Sequence, residues 1–249
     1  MFILETINLT HTFPNGVIAV KEINLRISPG EFVVLAGANG SGKTVFLRHL
    51  NGLILPTKGK TLLNGKNILK NLTETRKQIG LIFQDPDSQI LGQTVAEDVS
   101  FGPENLKLSW NEINTRVKDA LEIAGLNKFS KRDPFTLSGG QKRKLAIAGV
   151  LAMKPKVIMF DEPFIGLDYP GVVQVLKQII ELNVDGHTII LVTHDLEKVL
   201  AHAHRLIIMS KGKIVQDGKP EDIIDHTEKY QVKMPSYEKG GINKLTWLK

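Results

Sequence analysis

The most constraining feature of the sequence is a glycine-rich turn placed between an apolar strand and a helical segment. The strand is expected at Phe32–Ala36, the turn reads Gly-Ala-Asn-Gly-Ser-Gly-Lys-Thr over residues 37–44, and residues 45–50 continue in a helical pattern. Glycines at this spacing let successive backbone N–H groups turn inward around phosphate oxygens, and the following helix adds its positive end. In this strand–loop–helix context the pattern predicts a phosphate-binding loop.

Two side chains at the end of this turn have chemistry of their own. Lys43 is expected to reach the β- and γ-phosphates of a bound nucleotide, and the Thr44 hydroxyl is expected to bind Mg²⁺. We therefore predict that the chain binds a nucleotide together with Mg²⁺. The residues predicted to hold the nucleotide here are Gly37, Ala38, Asn39, Gly40, Ser41, Gly42, Lys43 and Thr44.

Composition excludes several other kinds of chemistry. The chain has 249 residues, 42% of them hydrophobic, and no cysteine, which excludes disulfide-stapled folds, zinc–thiolate sites, iron–sulfur clusters and cysteine nucleophiles. Its apolar runs are far shorter than the roughly 18 residues of a membrane span, and its N-terminus lacks a secretory signal pattern, so we expect a cytoplasmic protein. The net charge of +6 suits nucleic acid, an anionic membrane surface or a polyphosphate, and equally an ordinary solvated surface.

Strand and helix patterns follow each other in the order of an α/β domain. Strands are predicted at residues 2–8, 19–27, 32–36, 157–160, 188–192 and 206–209, and helices at 110–124, 141–152 and 170–182. The strand–helix–strand order from residue 157 onward favours a parallel sheet flanked by helices. The longer helical patterns between about residues 91 and 152 indicate a helical insert between two strand-bearing halves.

One of these strands ends in two carboxylates. The apolar residues 157–160 are followed by Asp161 and Glu162. In a parallel sheet such a strand is buried, and its carboxyl end lies where ligands bind. Asp161 is expected to hold Mg²⁺, directly or through water, and Glu162 to polarise the water that attacks the γ-phosphate. Taken alone, the pair also fits a solvent-exposed strand end, but the phosphate-binding loop upstream favours the catalytic interpretation.

A second serine–glycine turn precedes the helix predicted at 141–152. Ser138, Gly139, Gly140 and Gln141 can offer a hydroxyl and unobstructed backbone amides at a helix N-terminus, which is a second anion site. Taken alone, such a turn more often forms a plain helix cap. Because one nucleotide does not need two such sites, we predict that these residues close over a nucleotide held by another subunit of a dimer.

Together these residues resemble the ATP-binding subunit of an ABC transporter. The Leu-Ser-Gly-Gly-Gln sequence at 137–141 matches that family's signature, and the resemblance covers nearly the whole chain. The motifs follow the family's order: the phosphate-binding loop, Gln84, the signature, Asp161 and Glu162, residues 166–168, and His194. The resemblance implies an α/β fold in which a P-loop NTPase core, with a parallel sheet flanked by helices, carries an N-terminal antiparallel β subdomain and an inserted helical subdomain.

The domain organisation that we expect is a single ABC ATPase domain over residues 1–225, with its helical subdomain at about 86–152. Residues 226–249 are expected to form a partly mobile C-terminal appendage, because the chain there is rich in lysine and broken by proline and glycine. Two aromatic residues of this appendage, Tyr237 and Trp247, are expected to dock onto the domain.

The resemblance also assigns roles to individual residues. Phe13 is expected to stack on the adenine, and His194 to contact the γ-phosphate. Gln84 is expected to sense Mg²⁺ and the attacking water while linking the site to a membrane partner, and Asp168 to lie in the loop that contacts the second ATPase subunit. The implied catalytic residues are Glu162, His194 and Gln84, and the implied Mg²⁺ ligands are Thr44, Gln84 and Asp161.

The chain also shows a narrower resemblance, to the ATPases of energy-coupling factor importers, which take up cobalt, nickel, biotin and other vitamins. This resemblance lies in residues 84–91, 94–99, 101–105 and 141–152. In that group the segment after the glutamine forms a groove for a helix of the transmembrane coupling protein. The carboxylates there that suit arginines on such a helix are Asp85, Asp87, Glu97 and Asp98.

The implied function is therefore that of an ATPase powering an energy-coupling factor importer, for cobalt or nickel ions or a vitamin such as biotin, from the cytoplasmic face of the membrane. Its implied partners are a second ATPase subunit, identical or related, a transmembrane coupling protein and a substrate-binding membrane subunit. Nucleic acid is not expected as a partner. The alternatives are the ATPase of a conventional ABC transporter and a soluble ABC ATPase acting on nucleic acid.

Overall fold

The computed structural model describes residues 1–236 and 241–248. Its strands are β1 (Leu4–Thr12), β2 (Ile18–Ile27), β3 (Phe32–Ala36), β4 (Lys58–Leu63), β5 (Lys66–Asn67), β6 (Ile79–Ile82), β7 (Val157–Asp161), β8 (Thr188–Val192), β9 (Arg205–Ser210) and β10 (Lys213–Gly218). Its α-helices are α1 (Lys43–Leu50), α2 (Leu72–Gln78), α3 (Val95–Asn105), α4 (Trp110–Ile123), α5 (Gly139–Leu151), α6 (Tyr169–Val184) and α7 (Pro220–Ile223). Short 3₁₀ helices lie at Ile68–Lys70, Pro86–Ser88, Asn127–Phe129, Pro134–Thr136, Leu196–Lys198, Leu200–His202, Ile224–Tyr230 and Ile242–Lys244.

The larger sheet has six strands in the order β10-β9-β3-β8-β7-β6, and its neighbours are parallel except for the antiparallel pair of β9 and β10. Strands β3, β7 and β8 are buried at every position, as expected for parallel strands covered on both faces. Their carboxyl ends are adjacent, so the residues that follow them meet at one edge of the sheet. The predicted parallel sheet flanked by helices is therefore confirmed.

Alternate residues of each central strand face two different cores. Phe32, Val34 and Ala36 of β3 face one core, together with apolar residues of helices α3 to α6. Val33 and Leu35 face the other core, which they share with α1 and with the smaller sheet. That smaller sheet is antiparallel, in the order β2-β1-β4-β5, and forms the β subdomain expected near the N-terminus.

Helices α3, α4 and α5 pack against one another and lie between β6 and β7 in the chain, where they form the inserted helical subdomain. The helices predicted at 110–124 and 141–152 correspond to α4 and α5. Helix α5 begins two residues earlier than predicted because Ser138 caps it. Throughout the described parts of the chain, no helix combines the length and the apolar character that crossing a bilayer requires.

Several described residues after Asp225 pack against the domain. The 3₁₀ helix Ile224–Tyr230 runs across the expected boundary, and apolar side chains of residues 241–248 are buried in the larger core. Trp247 packs against the same core, whereas Tyr237 lies outside the described residues. The division of the chain at residue 225 stays a prediction.

Candidate active site

The phosphate-binding loop leaves the larger sheet between β3 and α1 and requires glycine at two points of close approach. Gly42 has a φ of 101°, and a Cβ there would lie 2.3 Å from the carbonyl oxygen of Ala19. A Cβ at Gly37 would lie 2.3 Å from the carbonyl oxygen of Met209. The backbone of the loop therefore lies closer to β2 and β9 than any larger residue permits.

Lys43 and Ser41 are the buried polar side chains of this loop. The Lys43 Nζ donates to the carbonyl oxygens of Gly37, at 2.7 Å, and Ala38, at 3.1 Å. Burial lowers the pKa of the Lys43 ammonium, and the two carboxylates at the end of β7 oppose this shift. The Ser41 hydroxyl is buried and has no hydrogen-bond partner among the described residues. A buried cation and an unpartnered hydroxyl beside backbone amides fit the oxygens of a phosphate group.

Thr44 and Asp161 come together at the edge of the sheet. The Thr44 hydroxyl donates to Asp161 Oδ1 at 3.2 Å. Burial raises the pKa of Asp161 and the Glu162 charge adds to this, while the Thr44 hydrogen bond and the charges of Arg48 and Lys43 oppose it. A hydroxyl and one carboxylate fit Mg²⁺, which takes its other ligands from substrate phosphates and water. Across residues 1–236 and 241–248, no three His, Asp or Glu side chains form a metal-binding group by themselves.

Glu162 and His194 follow the neighbouring strands β7 and β8 and contact each other. The His194 Nδ1 lies 3.0 Å from Glu162 Oε1, and because an ionised carboxylate only accepts, the imidazole donates this hydrogen bond. Glu162 has a φ of 50°, a left-handed conformation that costs a non-glycine residue roughly 1–3 kcal/mol. Its backbone N–H is held by the Val192 carbonyl oxygen at 3.0 Å. Strain of this kind concentrates at functional sites.

These residues line one cavity of about 430 Å³ together with Phe13 and Gln84. Phe13 lies in the turn between β1 and β2 and is 36% exposed, with the His11 ring edge-on at 4.8 Å. Val17 and Ile18 are exposed and line the same cavity, so they add apolar surface beside the phenyl ring. The cavity thus joins an aromatic surface, a phosphate-binding loop and two carboxylates, an arrangement that fits the base and the triphosphate of ATP.

The turn at residues 138–141 does not reach this cavity. It lines another cavity of about 560 Å³, together with Asp168. Within the turn, the Gln141 N–H donates to Ser138 Oγ at 3.3 Å and the Ser138 N–H donates to Gln141 Oε1 at 2.9 Å, which makes a capping box. Asp168 caps α6 by accepting the Gly171 N–H at 3.0 Å. The role of these residues towards a second subunit stays a prediction.

Arg143 connects helix α5 to the segment that carries Gln84. Its side chain is buried, and its guanidinium donates to the carbonyl oxygens of Phe83, at 2.5 Å, and Gln84, at 2.6 Å. Burial lowers the pKa of this guanidinium, and the Asp85 charge opposes the shift. No sequence pattern assigned a role to Arg143. The available signal was its position four residues before the buried Ile147, on the same helix face.

Comparisons with known proteins agree with this geometry. The model of the ABC transporter family matches residues 20–165. The energy-coupling factor transporter ATP-binding protein EcfA of Methanocaldococcus jannaschii is 46% identical over 231 residues, which cover 92% of this chain and 83% of that protein. The corresponding EcfA2 of Clostridium perfringens is 45% identical over 231 residues, which cover 89% of this chain and 81% of that protein.

Solved structures show the same fold. The structure of cbiO1 from Clostridium perfringens, part of the ABC transporter complex cbiONQ, has a TM-score of 0.82 and 38% identity and covers 92% of each chain. The dimeric cassette MJ0796, in a post-hydrolysis state bound to ADP and Pi, has a TM-score of 0.78 and 32% identity and covers 87% of this chain and 98% of that one. The chain therefore belongs to the ABC transporter family, and it is an ATPase of the energy-coupling factor group that couples ATP hydrolysis to transport.

Proposed function

We propose that this chain is one half of an ATPase dimer that powers an energy-coupling factor importer. Each nucleotide is held by the phosphate-binding loop of one subunit and covered by the 138–141 turn of the other. Two observations support this arrangement. The cavity that all four residues of the turn line contains no residue of the loop, although Gly139 of the turn also lines a groove together with Thr44. The similar cassette MJ0796 is dimeric with ADP and Pi bound. The second subunit is an identical chain or a related ATPase.

The residues of the cavity have different roles in ATP hydrolysis. Thr44, Asp161 and Gln84 would hold Mg²⁺, which would supply positive charge to the β- and γ-phosphates. Phe13 stacks on the adenine, and the loop amides bind the phosphate oxygens. Glu162 polarises the attacking water, and His194 keeps that carboxylate oriented by donating to it.

A groove that begins at the catalytic residues carries the link to a membrane partner. It has a volume of about 880 Å³ and extends from Thr44 and Asp161 to the segment 84–88, with Leu53 and Ile54 along its wall. Apolar walls and carboxylates suit an amphipathic helix that bears basic residues. Gln84 lies between the groove and the nucleotide cavity and lines both, so it connects such a helix to the Mg²⁺ site.

The acids of this region differ in their position relative to the groove. Asp85 and Asp87 line it, although Asp87 Oδ1 also pairs with Lys142 Nζ at 2.7 Å and Asp85 Oδ1 accepts the Asp87 N–H at 3.0 Å. Asp98 does not line the groove and accepts the backbone N–H groups of Leu91, at 2.7 Å, and Gly92, at 3.0 Å, and Glu97 is part of the capping box of α3. Because of their place in the groove, Asp85 and Asp87 are the acids that we assign to the coupling interface.

The cargo that we propose is a cobalt or nickel ion or a vitamin such as biotin, bound by a separate membrane subunit, with this chain at the cytoplasmic face of the membrane. The similarity to EcfA proteins and to cbiO1 supports this assignment. Residues 58–77 carry six lysine or arginine side chains against one glutamate, while the whole chain has a net charge of +6. Charge concentrated in this way suits a position beside anionic lipid head groups.

Affinity copurification from membranes of the native host tests this function. We expect a stoichiometric polytopic membrane protein together with a small substrate-binding membrane protein, whose identity gives the cargo class. Asp85→Lys and Asp87→Lys should reduce recovery of the membrane partner about tenfold or more, because each places like charges face to face. Asp119→Lys, on the exposed surface of α4, is the charge-matched control and should leave recovery unchanged.

Two results would contradict this proposal. Recovery with nucleic acid or ribosomes alone, together with a strongly salt-dependent affinity for DNA or RNA, favours the nucleic-acid alternative. Recovery with paired permease subunits, and with no small substrate-binding membrane protein, favours a conventional ABC transporter. Both results leave the ATPase site in place.

A further inference from the structure

The loop that follows His194 consists of two short 3₁₀ helices, Leu196–Lys198 and Leu200–His202, and neither has a side-chain cap at its start. Short 3₁₀ helices have weaker hydrogen-bond geometry than α-helices. Leu196, Val199 and Leu200 anchor the loop in the larger core, whereas Asp195 and Lys198 are only partly buried. The placement of these two polar side chains therefore depends on what packs against the loop.

The last described segment, residues 241–248, packs on the loop. The Leu245 carbonyl oxygen accepts the Ala201 N–H at 3.1 Å, and the Thr246 Oγ1 lies 2.7 Å from His202 Nε2. Leu245 is buried in the larger core. The tail thus provides hydrogen-bond partners for one backbone N–H and one side chain of the second 3₁₀ helix.

Trp247 of the tail covers Lys198. The Lys198 Nζ lies 4.7 Å from the centroid of the Trp247 ring and 2.5 Å from Asp195 Oδ2, and its side chain is only 12% exposed. The Trp247 ring also lies beside Tyr169, the first residue of α6, with the centroids 5.4 Å apart. An ammonium held between an aromatic face and a carboxylate is strongly oriented, because both partners attract the cation.

Asp195 connects this cluster to the catalytic pair. Its Oδ1 lies 3.8 Å from His194 Nε2, while His194 Nδ1 donates to Glu162 Oε1 at 3.0 Å. The imidazole therefore has a carboxylate on each side. Lys198 neutralises Asp195 and fixes it in place, so the ring remains bonded to Glu162. Without Lys198, the free Asp195 carboxylate would compete with Glu162 for the imidazole.

We propose that Lys198 and Trp247 are positioning residues for ATP hydrolysis: the docked tail fixes Asp195 through Lys198 and thereby holds His194 against Glu162. Neither residue lines the nucleotide cavity, so their loss should slow hydrolysis without weakening nucleotide binding. The inference rests on the roles proposed above for Glu162 and His194. It makes the C-terminal tail a working part of the active site.

Steady-state ATP hydrolysis by the full chain in its assembled complex tests the proposal. Lys198→Met keeps the apolar stem without the charge, and Trp247→Ala removes the ring. Each change should lower kcat about tenfold or more, with KM for MgATP within about twofold of wild type. Lys198→Arg and Trp247→Phe keep the charge and the ring and should retain most of kcat. The matched control is Trp110→Ala, which removes the other tryptophan, exposed on α4, and should change neither constant.

Several outcomes would overturn the proposal. One is an unchanged kcat in Lys198→Met and Trp247→Ala. Another is a parallel fall in kcat, Tm and nucleotide affinity that the conservative variants do not restore, because this indicates only a loss of folding stability. Glu162→Gln separates the two proposals: if it abolishes hydrolysis while Lys198→Met does not affect it, the active site stands and the tail has no role. If Glu162→Gln hydrolyses ATP normally, the catalytic roles themselves are wrong.

Fluorescence provides a second readout that does not depend on turnover. In Trp110→Phe, Trp247 is the sole tryptophan. Because the Lys198 Nζ lies over the Trp247 ring in the structure without nucleotide, the docking of the tail should already be visible in the free protein. Acrylamide quenching of Trp247 should therefore be stronger in Lys198→Met than in the same protein with Lys198, with or without MgATP. Equal quenching in the two proteins would overturn the proposal.

Discussion

His49 is a fully buried histidine of α1. Its Nδ1 lies 2.7 Å from the Val45 carbonyl oxygen, and its Nε2 lies 3.2 Å from the Nδ1 of His11, whose ring stands edge-on to Phe13. A carbonyl oxygen only accepts, so His49 carries its proton on Nδ1 and accepts a hydrogen bond at Nε2. Burial lowers the pKa of His49, the bond to Val45 opposes this, and His11 lowers the pKa further.

Acidification should therefore destabilise the protein through His49. Because the folded-state pKa of His49 lies below the ordinary value of 6.5, the unfolded chain takes up this proton first as the pH falls. The free energy of unfolding should decrease below pH 6.5 by up to about 1.4 kcal/mol per pH unit from this group. Denaturant unfolding of wild type and His49→Gln between pH 8 and pH 5 should show a smaller dependence in the variant. His226→Gln, at an exposed position, is the control, and an equal pH dependence in all three proteins would contradict this assignment.

Gly42 should tolerate no side chain. Alanine there must adopt a φ of 101° and place its Cβ 2.3 Å from the Ala19 carbonyl oxygen, so the loop has to move away from β2. We expect Gly42→Ala to lower the free energy of unfolding by roughly 2–4 kcal/mol and to abolish the increase in Tm on adding MgATP. Gly149→Ala is the matched control in α5, where a Cβ meets no atom within 4 Å. That change should stabilise the chain by about 0.5–1 kcal/mol, and equal effects at both glycines would refute the steric argument.

At the scale of secondary-structure elements, the two capping boxes of the helical subdomain allow a direct comparison. Thr94 only caps a helix, whereas we propose that Ser138 caps a helix and also acts in hydrolysis. In α3 the Glu97 N–H donates to Thr94 Oγ1 at 3.2 Å, and in α5 the Gln141 N–H donates to Ser138 Oγ at 3.3 Å. Because the caps are alike, Thr94→Ala and Ser138→Ala should each cost about 1 kcal/mol of unfolding free energy. Only Ser138→Ala should also lower kcat, by about tenfold or more, because we propose that Ser138, and not Thr94, covers the nucleotide of the second subunit. Chemical denaturation and ATPase assays on both variants check this, and equal kcat values would leave Ser138 a plain helix cap.

Three of the strands predicted from the sequence are buried at every position, whereas β6, which is equally buried, was not predicted. Strands β3, β7 and β8 read as unbroken apolar runs because both faces of the sheet are covered. Strand β4 was not predicted because its first three residues are exposed. The seven-residue α2 was not predicted because it buries only Thr75. The local sequence motifs also predicted Thr44 and Asp161 as site residues, and the fold brings these two side chains into contact.

The contacts that no sequence pattern gave all join distant parts of the chain. Arg143 reaches the carbonyl oxygens of Phe83 and Gln84 across 60 and 59 residues, respectively. Lys198 and Trp247 are separated in the chain by α7 and two strands, and only tertiary packing places the ammonium over the ring. Such contacts follow from how elements pack and are invisible to periodicity, which describes one element at a time.

At the scale of the whole molecule, the proposed dimer gives each chain two half-sites: the phosphate-binding loop, which lines one cavity, and the 138–141 turn, which lines another. A dimer that joins unlike halves across a two-fold axis has two composite sites, because each contact is made twice. If one chain has an inactive loop and another has an inactive turn, a homodimer of either chain has no complete site, whereas a mixed dimer has one. This difference makes the dimer testable without any membrane partner.

Mixing two inactive variants should restore hydrolysis. Lys43→Ala disables the loop, and Ser138→Arg disables the turn, so a dimer of either variant alone has no complete site. A mixed dimer regains one site, formed by the intact loop of one chain and the intact turn of the other, and random assortment gives about a quarter of wild-type activity. Mixing Lys43→Ala with a second loop variant, Thr44→Ala, is the control and should recover nothing. If Lys43→Ala and Ser138→Arg recover nothing although the wild-type chain alone hydrolyses ATP, the composite site is wrong; if the wild-type chain alone is inactive, its partner is a related ATPase rather than a second copy.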